Sequence, residues 1–343
     1  MNPEEITRLV LEIRDELDYD RGVTPQILRV GELENESLFI VVTDRAEKSL
    51  CLGPGGRITA ELAKRTGKKI TVYGEDEIIL RRHRLNYTVA RIDELLLEVS
   101  ENQQTFLHLL LQMIKQELLV PETINPETDT ESVTTQVMVA YSGGVDSGAA
   151  LILLKNHVEA LHAVTADQGI EFMYPKEKTR ISEVCESLGV THRFLQVKSE
   201  IEGILDRTTQ GRIHPCGPCH EVTMGKILRL AITEKYDALI TGEMMPTGRQ
   251  AIELKEGMLL VHLPAALTLT KHRTTSLSKQ FDIQPQNERF GCNLVNQQHG
   301  KGWQFVGPSI FRVLRELQAG VLTTGKSLKL IRSILHPFIR NQE

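Results

Sequence analysis

Apolar and polar positions along this chain follow two periods, and the places where one gives way to the other mark its organisation. Short apolar runs at 27–30 and 38–42, with Asn35-Glu36 as the turn between them, predict two strands. Thr43 or Asp44 then caps a short helix over 45–50. The run Gly53-Pro54-Gly55-Gly56 breaks the chain, and Ile58, Leu62 and Ala63 at helical spacing predict a helix over 57–66 that Gly67 stops. A third strand follows at 69–73, then two long helices at 75–99 and 103–119. The stretch from Pro121 to Ser132, rich in proline, threonine and acid, reads as a linker.

Beyond residue 133 strands are expected at 137–141, 160–165, 193–197, 238–241 and 258–262, with helices at 148–156, 176–188 and 221–236 between them. This alternation predicts an α/β domain, a doubly wound parallel sheet covered on both faces, whose ligands bind beyond the carboxyl ends of the strands. Further helices are expected at 309–317 and 328–335. The expected divisions are therefore 1–100, a helix and linker over 101–132, the catalytic sheet over 133–300 and a helical extension over 301–343.

Composition changes this picture little. The 343 residues suffice for two cores, and 41% hydrophobic with 25% charged residues is ordinary for a globular protein. A net charge of −5 gives no global attraction to nucleic acid, so any such binding needs a local patch. One candidate is Arg57, Lys64, Arg65, Lys68 and Lys69, which follow the glycine loop; Arg81, Arg82 and Arg84 read better as a solvated helix face. No apolar run reaches the roughly 20 residues of a membrane span. Residues 1–11 lack the basic and apolar regions of a signal peptide, and five cysteines do not make a secretory framework. A cytoplasmic protein with reduced thiols and no membrane partner is expected.

Two clusters carry chemistry. Ser142-Gly143-Gly144-Val145-Asp146-Ser147 follows an apolar strand ending at Tyr141 and opens a helix, so backbone N–H groups and two hydroxyls would form an anion-binding concavity. No lysine closes this loop in the manner of a Walker sequence. Asp167, in Asp167-Gln168-Gly169, and Gly242, in Thr241-Gly242-Glu243, stand at two further strand ends, where Asp167 would contact the adenosine or its ribose and Gly242 would line the cleft.

The second cluster is Cys216-Gly217-Pro218-Cys219, read as a loop just before a helix, joined by Cys292 on a glycine-bearing loop. Three thiols leave a four-iron cluster one ligand short, with an iron open to sulfide. A zinc site completed by His214 or His220, and a persulfide relay, remain open readings of the same residues. Cys51 and Cys185, among apolar neighbours, read as core residues.

The order strand, strand, helix, Gly-x-x-Gly, helix, strand resembles a KH domain of the prokaryotic type. That resemblance implies RNA binding, with Gly53, Pro54, Gly55 and Gly56 approaching the backbone of about four nucleotides and Arg57, Lys64 and Lys68 on phosphates. The Ser142–Ser147 loop, the Cys-x-x-Cys pair and the late cysteine, spread over about 133–298, together resemble the PP-loop ATP pyrophosphatases, and among them the cluster-dependent tRNA thiolases that make two-thiocytidine or two-thiouridine.

The resemblance implies that Tyr141, Ser142, Gly143, Gly144, Asp146 and Ser147 bind ATP, with Mg²⁺ on its phosphates and Asp146 on the metal or in proton transfer. It further implies that Cys216, Cys219 and Cys292 hold a [4Fe–4S] cluster. Val145 stands where most of these thiolases have lysine, as in NAD and GMP synthetases, and no second Cys-x-x-Cys is present. The expected activity is adenylation of a pyrimidine carbonyl of RNA, most naturally tRNA, and replacement of its oxygen by sulfur from sulfide or a donor protein. A sulfur transferase or synthetase acting on a small carboxylate, and an iron- or redox-responsive RNA-binding protein, are the alternatives. A homodimer is left open.

Overall fold

The computed structural model describes residues 1–19, 22–33, 36–121, 132–170, 172–283 and 290–340, with Asn293 as backbone only. Asn35 of the expected turn, and the expected linker apart from Pro121 and Ser132, lie outside them. The chain divides into two compact units, residues 1–86 with 112–129 and residues 87–111 with 130–343.

The first unit opens on helix α1 (Pro3–Glu16), which the sequence reading did not predict. Asn2 and Glu5 form a capping box at its start, and Ile6, Val10 and Ile13 fall on one buried face. Strands β1 (Ile27–Leu33) and β2 (Ser37–Val42) pair antiparallel; α2 (Arg45–Leu52), a tight turn over Pro54–Gly56 and α3 (Arg57–Thr66) follow, and β3 (Lys69–Gly74) joins β2 in parallel. The element order after α1 is the expected one. Ile6, Val10 and Ile13 pack with Leu38, Ile40, Val42, Cys51, Ile58, Leu62 and Val72 into one core. Gly53, Gly55 and Gly56 all take positive φ in the turn. Three of the basic residues around it are paired within the unit: Lys64 with Glu61, Arg65 with Glu16 and Lys68 with Glu32. Helices α4 (Glu75–Leu95) and α5 (Glu101–Leu118) each supply residues to both units, whereas the sequence reading ended a domain at residue 100.

In the second unit β4 (Val133–Ala140), α6 (Val145–Leu154), β5 (Val158–Asp167), α7 (Pro175–Ser187) and β6 (Thr191–Gln196) alternate as expected. Helix α8 (Lys198–Thr209), not predicted, precedes α9 (Cys216–Thr233), and β7 (Ala238–Thr241) follows. Strand β8 (Ile252–Lys255) makes a hairpin with β9 (Met258–His262), after which come α10 (Leu263–Ala266), α11 (Lys271–Lys279), α12 (Asn293–Gln298), α13 (Trp303–Gln318) and α14 (Thr324–Arg340). The sheet order is β6-β5-β4-β7-β9-β8. All neighbours are parallel except the edge strand β8, which runs against β9. From β4 the chain steps outward to β5 and β6, then returns to build β7, β9 and β8 on the other side. That reversal makes the carboxyl end of β4 the switch point at which such sheets bind ligands.

Cys216-Gly217-Pro218-Cys219 is not a loop ahead of a helix but the first turn of α9, with Pro215 as its N-cap. Proline is tolerated in a first helical turn because the N–H it lacks would have no intrahelical partner there. The three-residue spacing then sets both thiols on neighbouring positions of one helix face.

Candidate active site

The Ser142–Ser147 loop lies at the switch point. Tyr141 donates its N–H to Val164 O at 2.8 Å, which ties the loop to β5. Its ring is 1% exposed and the phenol O–H has no partner among the described residues, so any contact Tyr141 makes in the cleft falls to its backbone. The chain turns at Gly143, whose φ of 76° suits glycine. Arg180 donates to Gly143 O at 2.9 Å. The Ser142 N–H donates to Ser147 Oγ at 3.2 Å, and the two hydroxyls stand 3.0 Å apart. Gly144 caps α6 without a side-chain hydrogen bond, leaving first-turn N–H groups for an anion. Gly242, at the end of β7, permits close approach: a Cβ there would stand 2.4 Å from the Ser147 nitrogen.

Both carboxylate oxygens of Asp146 are engaged by α11. Lys271 pairs with Oδ2, and Thr274 donates to Oδ1 at 2.8 Å. Ser278, one turn on, donates to Val145 O at 2.6 Å. A lysine thus reaches the phosphate loop from a helix 125 residues away in sequence. No motif pointed to it.

Asp167 ends β5 and is 4% exposed. Burial alone would raise its carboxyl, but hydrogen bonds from Lys178, Gln196 and the Gly169 N–H outweigh burial and hold it below its ordinary value. Gln196 lies 2.6 Å from Oδ2 and Lys178 pairs with the same oxygen. The next residue, Gln168, donates to Cys219 Sγ at 3.5 Å and to Thr223 at 3.2 Å. On the far side, His220 meets Glu243 at 3.3 Å, just past Gly242. The first turn of α9 is thereby held at the carboxyl ends of β5 and β7, the two strands flanking the phosphate loop.

Cys216 and Cys219 are half-buried and Cys292, the N-cap of α12, is exposed. Burial pushes the Cys216 thiol up to about 11, and the charge of Cys292 adds to the rise. Cys219 is raised by the same two causes in the same order. The three thiols are therefore electrostatic neighbours. Among the described residues no three His, Cys, Asp or Glu side chains converge closely enough to hold one metal ion. Both histidines considered for zinc have partners elsewhere. His214 accepts the Cys216 N–H at 3.4 Å and meets Ser309 Oγ at 3.4 Å, and His220 pairs with Glu243.

The C-terminal helices complete the wall. Cys216 packs against a cluster of Phe290, Val295, Val306, Val313, Leu322 and Ile334. His299 lies under it, fully buried, with Nε2 at 2.9 Å from Ser309 Oγ.

Residues 135–274 match the family model described as the tRNA methyl transferase HUP domain. This segment is similar to that HUP domain. Among curated relatives, an uncharacterised protein of Methanocaldococcus jannaschii is 26% identical over 203 residues, 59% of this chain and 75% of that one. The tRNA-specific 2-thiouridylase MnmA 1 of Fusobacterium nucleatum is 28% identical over 140 residues, 39% of this chain and 35% of its own length. MnmA 2 of the same organism is 30% identical over 109 residues, 30% of this chain and 31% of its own length. The chain thus spans about a third of either thiouridylase. Among solved structures, the U34-tRNA thiolase NcsA of Methanococcus maripaludis, with its [4Fe–4S] cluster, aligns at 16% identity and a TM-score of 0.40, over 66% of this chain and 80% of that one.

The matched segment gathers most of the residues singled out in the sequence: Ser142, Gly143, Gly144, Asp146, Ser147, Asp167, Gly242, Cys216 and Cys219 all stand at the carboxyl ends of β4, β5 and β7 or on the helices against them. Cys292 comes from beyond the matched segment. Sequence reasoning missed Lys178, Arg180 and Lys271. The first two lie one turn into α7, among charged residues with no distinguishing spacing.

Proposed function

We propose that this protein is an ATP-dependent RNA sulfurtransferase acting on a pyrimidine of tRNA. The observation that carries the reading is the Gln168–Cys219 hydrogen bond, which ties the thiol-bearing turn to the strand end beside the phosphate loop. The kinship of the HUP domain to tRNA-specific 2-thiouridylases supports the choice of reaction and substrate.

In this reading the loop N–H groups and the Ser142 and Ser147 hydroxyls cradle the ATP phosphates, and Lys271 neutralises charge as pyrophosphate leaves. The base oxygen attacks the α-phosphorus and the P–O bond to pyrophosphate breaks, leaving that oxygen adenylated; a sulfur nucleophile would then bond to its carbon as the C–O bond breaks and AMP leaves. Asp146 anchors Lys271 and orients it. Because Lys271 and Thr274 already occupy both of its oxygens, Asp146 does not fit as a ready Mg²⁺ ligand, and no step is assigned to that ion.

Cys216, Cys219 and Cys292 would supply soft donors; burial, and then the charge of Cys292, disfavours free thiolates at Cys216 and Cys219, a cost that binding a cationic iron cluster would offset. A [4Fe–4S] cluster held there would offer an open iron to sulfide. The KH-like unit, through Gly53–Gly56 and Arg57, would hold a single-stranded part of the RNA.

The test is anaerobic purification with iron and zinc analysis and absorption spectra of wild type and Cys216→Ala, followed by pyrophosphate release with and without tRNA. About four irons per chain, lost in the variant, with release stimulated by tRNA, are expected. Stoichiometric zinc would remove the cluster, and release driven by a small carboxylic acid without RNA would remove the tRNA substrate.

A further inference from the structure

The C-terminal helices differ in charge from the rest of the chain. Residues 293–340 carry seven lysines and arginines and one acid, Glu316, in a protein of net charge −5. The matched HUP segment ends before them. On α14, Lys329, Arg332 and Arg340 are exposed, and their spacing of three and then eight residues keeps them on one side of the helix. None of the three is ion-paired among the described residues, in contrast to Lys64, Arg65 and Lys68 of the first unit.

Apolar rings interleave with these charges. Trp303 is 60% and Phe311 62% exposed on α13, although such rings are costly to leave in water. The Arg315 guanidinium stands over the Phe311 ring, 6.0 Å from its centroid, and Trp303 lies 6.1 Å from Phe338 near the end of α14. Exposed cations mixed with exposed aromatic rings are the combination that binds a phosphate backbone and stacks unpaired bases.

The patch also adjoins the thiols. The buried side of α13, through Val306 and Val313, packs in the cluster that holds Cys216.

We infer that the exposed face of α13 and α14, with Lys329, Arg332, Arg315, Trp303 and Phe311, is a docking surface for a folded RNA, placing the RNA beside the cysteine site. The inference rests on the proposed RNA substrate and adds where this part of the protein grips it. The acceptor would lie against a positive wall contributed by the C-terminal helices, and the grip would be electrostatic and sensitive to salt.

The test uses the full chain and unfractionated tRNA in filter-binding titrations over a range of salt. Lys329→Glu/Arg332→Glu is expected to weaken binding at least about tenfold and to lower the salt slope by about 2. The neutral pair Lys329→Gln/Arg332→Gln should fall between, and both should melt as wild type does because the altered side chains are exposed. Wild-type binding that neither pair changes, in affinity or slope, would overturn the surface while leaving the tRNA substrate standing. Absence of any wild-type tRNA binding would overturn both. Binding of phosphatidylserine vesicles without tRNA binding, lost in the same variants, would assign the face to a membrane and overturn it as well.

Discussion

The side-chain amide of Gln168 donates to the sulfur of Cys219 across 3.5 Å. Gln168 directly follows Asp167, at the end of the strand beside the phosphate loop, and Cys219 lies in the first turn of α9. One short contact therefore joins the part of the site suited to a nucleotide with the part suited to sulfur. Reaction between groups held on either side requires this juxtaposition, because proximity supplies much of the rate of a two-centre reaction.

Lys271 gives the most direct test of the nucleotide half. In Lys271→Ala, ATP-dependent pyrophosphate release is expected to fall about 100-fold, the usual cost of removing one charge-stabilising group. Lys271→Arg should recover part of it. Steady-state pyrophosphate assays with both variants measure the effect, and wild-type turnover in the alanine variant would exclude Lys271 from the site.

Gly242→Ala tests the close approach of β7 to the phosphate loop. Its Cβ would fall within van der Waals distance of the Ser147 backbone, which cannot swing aside as a side-chain tip can. Overpacking of this kind costs about 1–3 kcal/mol. The variant should melt earlier and bind ATP more weakly, as read by thermal unfolding and calorimetric titration.

Asp167→Ala removes the buried partner of Lys178. The cost should be about 3 kcal/mol, the lower end for a broken buried pair, because Lys178 keeps part of its hydration. Denaturant unfolding checks it. Since the folded carboxyl is held below its ordinary value, the wild-type contribution is present at neutral pH and is lost as pH falls through the folded pKa.

His299 predicts a second acid dependence. Burial, with a smaller contribution from His214, takes its imidazole down to about 4. The unfolded chain takes up this proton first, so stability should decline as pH drops from about 6.5 toward 4. His299→Gln should flatten that part of the pH–stability curve, and an unchanged slope would show that His299 does not titrate on unfolding.

Thiol reactivity offers a further check on the sulfur half. With burial raising Cys216 to about 11, roughly one molecule in a thousand carries its thiolate at pH 8. Alkylation of the metal-free protein should therefore be slow at Cys216 and quicken about tenfold per pH unit up to that range. Peptide mapping after timed iodoacetamide treatment measures it; rapid labelling of Cys216 at pH 8 would contradict its burial.

The apolar periods and glycine positions determined much of this protein on their own. Strands β7 and β9 and helix α3 fall where the pattern puts them, as does the glycine turn at Ser142–Gly144, because each depends on residues within a few positions of one another; α6 begins at Val145, three positions before the expected start. Helix α1 is not legible in the sequence alone, because its buried face gains meaning only when Ile6, Val10 and Ile13 meet a sheet that comes later in the chain. The first turn of α9 reads as a loop in the sequence because glycine and proline are poor helix formers, yet proline costs little in a first turn. Only tertiary structure decided that Lys271 would meet Asp146, that Gln168 would meet Cys219 and that the C-terminal helices would pack against Cys216. Such pairings are fixed by how separate elements bury their apolar faces together, and a linear sequence does not write that choice at either partner.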